Sequence, residues 1–154
     1  MNVIESNQKI LSDQLIFYPS DELKFYGPYE NCVICSLIIL NPSEKSVAFK
    51  IKTNKQKLYK VKPNNGIIDP KQSILINFNL VVFSKNQVNE TDHKFKIQYR
   101  YLSESDKTMS LNEIIDKWEI FPQENVYDFR INCKFVMERS NEDENEVFSL
   151  IERF

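Results

Sequence analysis

The stretch Val47-Ala48-Phe49-Lys50-Ile51-Lys52 alternates between two kinds of side chain and decides the fold class. Val47, Phe49 and Ile51 share one face of an extended chain, while Ala48, Lys50 and Lys52 share the other. Period-2 alternation of this kind predicts a half-buried β-strand. The same alternation recurs in three further segments: residues 74–80, 94–100 and 127–135. These four segments indicate antiparallel strands with one face on a core and one in water.

Shorter apolar segments add to this count of strands. Strands are also predicted at 15–18, 23–26, 33–40 and 58–62, with turn signals at Asn41-Pro42-Ser43 and at Pro63-Asn64-Asn65-Gly66. Seven or more short strands separated by turns are typical of a two-sheet sandwich. The sequence therefore predicts an all-β protein.

One helix is predicted before the last strand. Ser110 and Glu113 have the spacing of a capping box, and Leu111, Ile114, Ile115 and Trp118 form an apolar stripe at helical spacing. We expect this short helix to pack on the sandwich.

The composition excludes several kinds of chemistry. The 154 residues contain two glycines and one histidine, His93. A glycine-rich phosphate loop or a nucleophile elbow needs several glycines, so neither is expected. His93 begins a predicted strand with no nucleophile at motif spacing, which favours a non-catalytic role. Catalysis would have to rest on carboxylates, and the carboxylate pairs lie in turns or in the polar tail, where nothing sets them apart from solvated surface. We expect no cofactor and no metal site. A pI near 5.5 also disfavours nucleic-acid binding.

Three cysteines, Cys32, Cys35 and Cys133, make an odd count and favour a reducing compartment. Cys32 and Cys35 have the spacing of a metal or redox pair. On a strand, however, an odd separation sends the two sulfurs to opposite faces. We interpret them as structural residues.

Cations are concentrated on the outward faces of three predicted strands. They are Lys50 and Lys52 on the first, Lys94, Lys96 and Arg100 on the second, and Arg130 and Lys134 on the third. Exposed strand lysines often serve only to discourage aggregation. If the strands are neighbours, the sheet presents a positive face suited to an acidic peptide or phosphate. Periodicity leaves both interpretations open.

Several blocks between Leu23 and Gln98 resemble the major sperm protein (MSP) domain, and above all the VAMP-associated proteins (VAPs). They are Glu22-Leu23-Lys24-Phe25-Tyr26-Gly27-Pro28, Asn41-Pro42-Ser43, Phe49-Lys50-Ile51-Lys52-Thr53, residues 59–70 and His93-Lys94-Phe95-Lys96-Ile97-Gln98. The blocks follow the family order, and the resemblance covers residues 11–138. It implies a seven-stranded immunoglobulin-like β-sandwich without enzymatic activity.

The resemblance also implies a binding function. VAPs bind FFAT motifs, which are short peptides with two phenylalanines in an acidic tract, and so recruit lipid-transfer and tethering proteins to the endoplasmic reticulum. The positions that contact the peptide in the family correspond here to Lys50, Lys52, Thr53, Lys94, Lys96 and Arg130.

Two positions depart from the family pattern. Lys96 replaces an apolar residue in the family's Lys-Phe-Met core, and Asn54 replaces the second threonine of a Thr-Thr pair. The extra cation favours more acidic or phosphorylated FFAT peptides.

The sequence divides into an N-terminal extension (1–10), an MSP domain (11–138) and an acidic tail or start of a linker (139–154). The tail contains a degenerate FFAT-like segment at 146–152, for which a plain linker or nascent helix is the favoured interpretation. A membrane link would require an anchor outside these 154 residues, which would place the domain on the cytosolic face of the endoplasmic reticulum; otherwise a cytoplasmic location is expected. The alternative function is that of a self-assembling cytoskeletal protein resembling MSP, and a weak homodimer also stays open.

Overall fold

A computed structural model describes residues 14–29, 32–81 and 92–136 of the chain. Nine strands occur in these ranges: β1 (Ile16–Tyr18), β2 (Glu22–Tyr26), β3 (Val33–Leu40), β4 (Val47–Thr53), β5 (Tyr59–Lys62), β6 (Asn65–Ile68), β7 (Ser73–Leu80), β8 (Lys94–Tyr101) and β9 (Tyr127–Val136). One sheet has the order β1-β3-β7-β5 and the other the order β2-β9-β8-β4-β6. All pairings are antiparallel except β2 with β9. The all-β sandwich is confirmed.

Nine strands agree with the seven or more that the pattern predicts, but the count of seven that the family resemblance implies is wrong, and the reason lies at two edges. Between β1 and β2, and again between β5 and β6, the chain passes from an edge strand of the first sheet to an edge strand of the second. Pro19 and Pro63 stand at these crossings, where a residue without an amide hydrogen cannot extend a ladder. Each edge segment is therefore two short strands, one in each sheet.

The β6 strand is the element that the sequence did not indicate. The turn signal at 63–66 ends earlier than expected, and Asn65–Ile68 pairs with β4. Gly66 lies opposite Phe49, and a Cβ built on Gly66 would come within 2.9 Å of the Phe49 ring. The glycine is therefore required by the close approach of a buried aromatic ring rather than by a turn.

The core lies between the two sheets and contains the residues that alternation placed inward. Its fully buried members include Leu23, Phe49, Ile76, Phe78 and Ile97. Phe17 of β1 stacks on Phe129 of β9 at 3.8 Å between ring centroids, which joins the two sheets at one end.

The helix α1 spans Leu111–Asp116 and begins as predicted, because the Ser110 side chain accepts a hydrogen bond from the Glu113 amide. A 3-10 turn, Trp118–Ile120, follows it. Ile114 and Trp118 are buried with Ala48 and Leu102 in a second apolar cluster on the outer face of the β4 sheet. The segment 102–126 thus covers one half of that outer face and leaves the other half open.

Candidate peptide-binding face

The open half of the outer face carries the predicted cations on adjacent strands. In the second sheet β8 lies between β4 and β9. Lys52 of β4 is the register partner of Lys96 of β8, and Lys96 is in turn the partner of Arg130 of β9. Partners in antiparallel strands lie about 5 Å apart at their Cα atoms, so these three residues form one row across the sheet. We call this set the basic row.

Two more predicted cations flank the basic row. Lys94 is exposed two residues before Lys96 and lies opposite Asn132. Lys50 is half-buried two residues before Lys52 and lies opposite Gln98. We call these two lysines and the basic row together the basic face.

Thr53 differs from the other predicted site residues. It has the inward parity of Phe49 and Ile51, at the end of β4. Its hydroxyl donates to the Lys94 carbonyl at 2.8 Å and accepts from the Lys55 amide at 3.1 Å. The side chain therefore fixes the end of the strand through these two hydrogen bonds.

Asn54 reinforces the same junction. Its Nδ2 donates to the Asp92 carbonyl at 2.6 Å, and its Oδ1 accepts from the Lys94 amide at 3.0 Å. The nitrogen and the oxygen of the Asn54 side-chain amide thus both hold the start of β8 against the end of β4. Asn54 positions the backbone from which Lys94 projects.

Arg100 lies on the outward parity of β8 but does not belong to the basic face. Its guanidinium lies 2.9 Å from Asp106 and 3.4 Å from the centroid of the Phe121 ring, beneath the 102–126 segment. Burial alone would raise the pKa of Asp106, but hydrogen bonds from Ser103 and the charge of Arg100 hold this pKa below its ordinary value. The expectation that Arg100 contributes to an open positive face is wrong, because periodicity does not show what covers a strand.

Two carboxylates beside the basic row were not indicated by sequence reasoning. Glu119, in the 3-10 turn, lies 3.4 Å from Lys52, and Asp128 of β9 lies 3.9 Å from Arg130. Asp128 also accepts a hydrogen bond from Gln98 at 3.2 Å. Among the described residues, no carboxylate lies within ion-pair distance of Lys96.

The remaining reactive side chains, except the exposed Cys32, are buried or pack against the core. The Cys35 thiol packs against the core while Cys32 is exposed, so the two do not share a site. Burial raises the pKa of both Cys35 and Cys133 to about 12, which keeps the thiols protonated and poorly nucleophilic. His93 is buried, with Nδ1 2.7 Å from the Tyr59 hydroxyl. In the described ranges no group of three or more His, Cys, Asp or Glu side chains could hold a metal ion.

The described strands form an immunoglobulin-like β-sandwich module that carries the five cations of the basic face on one sheet. Residues 14–118 match the MSP (Major sperm protein) domain, and the chain belongs to this family. It is 35% identical over 123 residues to a vesicle-associated membrane protein/synaptobrevin-binding protein of Aplysia californica, covering 80% of this chain and 46% of the relative. It is 30% identical over 133 residues to human vesicle-associated membrane protein-associated protein A, covering 86% of this chain and 51% of the relative.

Solved structures agree on the fold. WR4, an MSP family member of Caenorhabditis elegans, superposes with a TM-score of 0.56 at 16% identity, covering 80% of this chain and 96% of WR4. SSP-19 of the same nematode superposes with a TM-score of 0.54 at 15% identity, covering 78% of this chain and 97% of SSP-19. The chain spans about half the length of the curated relatives it matches. No helix in the described ranges is long and apolar enough to span a bilayer.

Proposed function

We propose that this chain is a non-catalytic adaptor whose basic face binds acidic FFAT-type peptides, including phosphorylated ones, of lipid-transfer and tethering proteins. The observation that carries the proposal is the basic row, in which Lys52, Lys96 and Arg130 lie in register on three neighbouring strands. Like charges directly opposite each other destabilise a sheet. Proteins keep such destabilising arrangements at functional sites, and a row of cations supplies the charge that attracts an anionic ligand.

Long-range electrostatic attraction is the first step of the proposed binding. A peptide with an acidic flank is attracted toward the basic face before contact, which raises its association rate in a salt-dependent way. Each exposed charge contact contributes only about 0–1 kcal/mol, so several contacts must form together. The five cations of the basic face supply that number.

The end of β4 offers a second kind of contact. Pairing with β6 stops at Lys50, and the Ile51 amide donates to the Asn64 carbonyl on that side. Alternate residues of a strand direct their main-chain groups to the same side, so Thr53 directs its amide and carbonyl past the end of β6. Among the described strands, none pairs with Thr53 there. An extended peptide could add main-chain hydrogen bonds at this position.

The proposed location follows from the similarity to the VAMP-associated proteins. We place the domain on the cytosolic face of the endoplasmic reticulum, at membrane contact sites, if an anchor follows Phe154 in the whole protein, and in the cytoplasm otherwise. The proposed extension (1–10) and tail (139–154), with its FFAT-like segment, lie outside the described residues.

A titration with an acidic FFAT peptide, followed by backbone amide chemical shifts, tests the site. We expect the largest saturable shifts at Lys52, Lys94 and Arg130, with a weaker effect at high salt. Shifts confined to the outer face of β3 and β7, or no shifts at all, would contradict the proposal.

The second candidate is self-assembly through a sheet surface, as a cytoskeletal protein or a weak homodimer. It is favoured by an apolar patch on the outer face of the first sheet, where Ile16 and Leu75, 37% and 52% exposed, lie on either side of Ile38 and Leu40 of β3. Patches of exposed apolar side chains mark protein interaction sites. Concentration-dependent fibres that disappear on Leu75→Asp would support this function, and a monomer at all concentrations would exclude it.

A further inference from the structure

Glu119 places an acid of the chain itself on the surface proposed to bind an acidic ligand. Its Oε1 lies 3.4 Å from Lys52 Nζ, and the two side chains are 71% and 37% exposed, respectively. The contact is both an ion pair and a hydrogen bond. Lys52, at one end of the basic row, is therefore already engaged by a carboxylate.

The position of Glu119 is set by a buried neighbour. Trp118 is only 2% exposed, and its Nε1 donates to Gln98 Oε1 at 3.3 Å. Gln98 is the register partner of Lys50, one row away from Lys52 and Lys96. The anchored indole thus holds the 3-10 turn at the border of the open half, and the next residue reaches the basic row.

The opposite end of the row has a similar arrangement. Asp128 is fixed by the amide of Gln98 and lies 3.9 Å from Arg130. In the described part of the chain Lys96, at the centre, has no such carboxylate. The resident acids therefore flank the row and leave its middle cation for an incoming anion.

We propose that Glu119 is a built-in competitor that sets how much negative charge a ligand needs in order to bind. The inference rests on the proposed function of the basic face. A weakly acidic peptide displaces the Glu119 carboxylate from Lys52 less readily than an acidic tract or a phosphate group does. Because exposed ion pairs are weak, the barrier is small, and its removal strengthens binding by about two- to fivefold.

The test compares Glu119→Gln with Glu124→Gln, which removes the same charge from an exposed position five residues further along the chain. Both variants are titrated with the acidic FFAT peptide and, separately, with inorganic phosphate, followed by the Lys52 amide shift. We expect Glu119→Gln to bind both probes two- to fivefold more tightly than the wild type at low salt, with Glu124→Gln close to the wild type. In a Lys52→Gln background the gain should vanish.

Equal gains in Glu119→Gln and Glu124→Gln would overturn the inference, because they would reflect net charge alone. A gain that persists without Lys52, or no gain with either probe, would also overturn it. If the peptide binds no variant while phosphate shows the expected gain, the proposed function is wrong and the competition by Glu119 stands.

Discussion

Lys96 lies directly opposite Lys52 across the β4–β8 ladder, and Arg130 lies opposite Lys96 on the other side. A register partner of like charge on each side of Lys96 reduces the stability of the sheet. Glu119 and Asp128 pair with the two ends of the basic row, and no carboxylate of residues 14–29, 32–81 or 92–136 pairs with its centre. Lys96 is therefore the residue at which stability and the proposed binding function conflict most.

The substitution Lys96→Glu separates the stability of the sheet from peptide binding. The new carboxylate would lie between Lys52 and Arg130, so we expect the free energy of unfolding to rise by about 0.2–1 kcal/mol while peptide binding is lost. Urea denaturation and a peptide titration measure the two effects. Lys62→Glu, on β5 opposite the neutral Asn77, is the matched control and should gain no stability. A less stable Lys96→Glu variant would contradict the assignment of the row.

Lys96→Met tests the preference for phosphorylated ligands. Methionine restores the apolar residue of the family pattern and removes the central cation, so the affinity ratio of phosphorylated to unphosphorylated FFAT peptide should fall. Calorimetry with both peptides, on the wild type and the variant, gives this ratio. If both peptides bind equally before and after the substitution, the preference is wrong.

The alternation of apolar and polar side chains predicted most of the strands and placed the cations on outward faces. It could do so because the side of a strand on which a residue lies depends only on its neighbours along the chain. It did not show that β4, β8 and β9 are adjacent, since strand order depends on contacts between distant segments. The family resemblance supplied that adjacency for Lys52, Lys96 and Arg130. Neither source indicated that Glu119 reaches Lys52, because a short 3-10 turn positions it through the burial of Trp118.

Asp106→Asn tests the buried pair beneath the helical segment. Arg100 and Asp106 are 8% and 13% exposed, so removing the carboxylate leaves a guanidinium uncompensated, and we expect a loss of about 3–5 kcal/mol in unfolding free energy. Circular dichroism during urea denaturation measures this loss. A variant as stable as the wild type would show that the pair contributes nothing.

The lowered pKa of Asp106 predicts that the free energy of unfolding depends on pH. Its folded-state pKa lies below the ordinary 3.8, so its stabilisation is present above that value and is lost as the pH falls through the folded pKa. The stability of the wild type should therefore decline below about pH 4, and the Asp106→Asn variant should decline less steeply. Parallel slopes for the two proteins would contradict the role of this pKa.

Gly66→Ala tests the approach of β6 to β4. The added Cβ would lie 2.9 Å from the ring of Phe49, which is fully buried and cannot move without disturbing the core. We expect a loss of about 1–3 kcal/mol in unfolding free energy, measured by thermal denaturation. Ile67→Ala, on the exposed neighbour in the same strand, should cost less.

The most direct test of the basic face is the affinity of an acidic FFAT peptide for Lys94→Asp/Lys96→Asp, measured by calorimetry. The control is Lys60→Asp/Lys62→Asp, which makes the same change at two exposed lysines with the same spacing on the other sheet. Thermal denaturation checks that both variants stay folded. We predict micromolar binding by the wild type and the control, and none by Lys94→Asp/Lys96→Asp. Unchanged affinity in that variant, or equal loss in both variants, would contradict the assignment of the binding face.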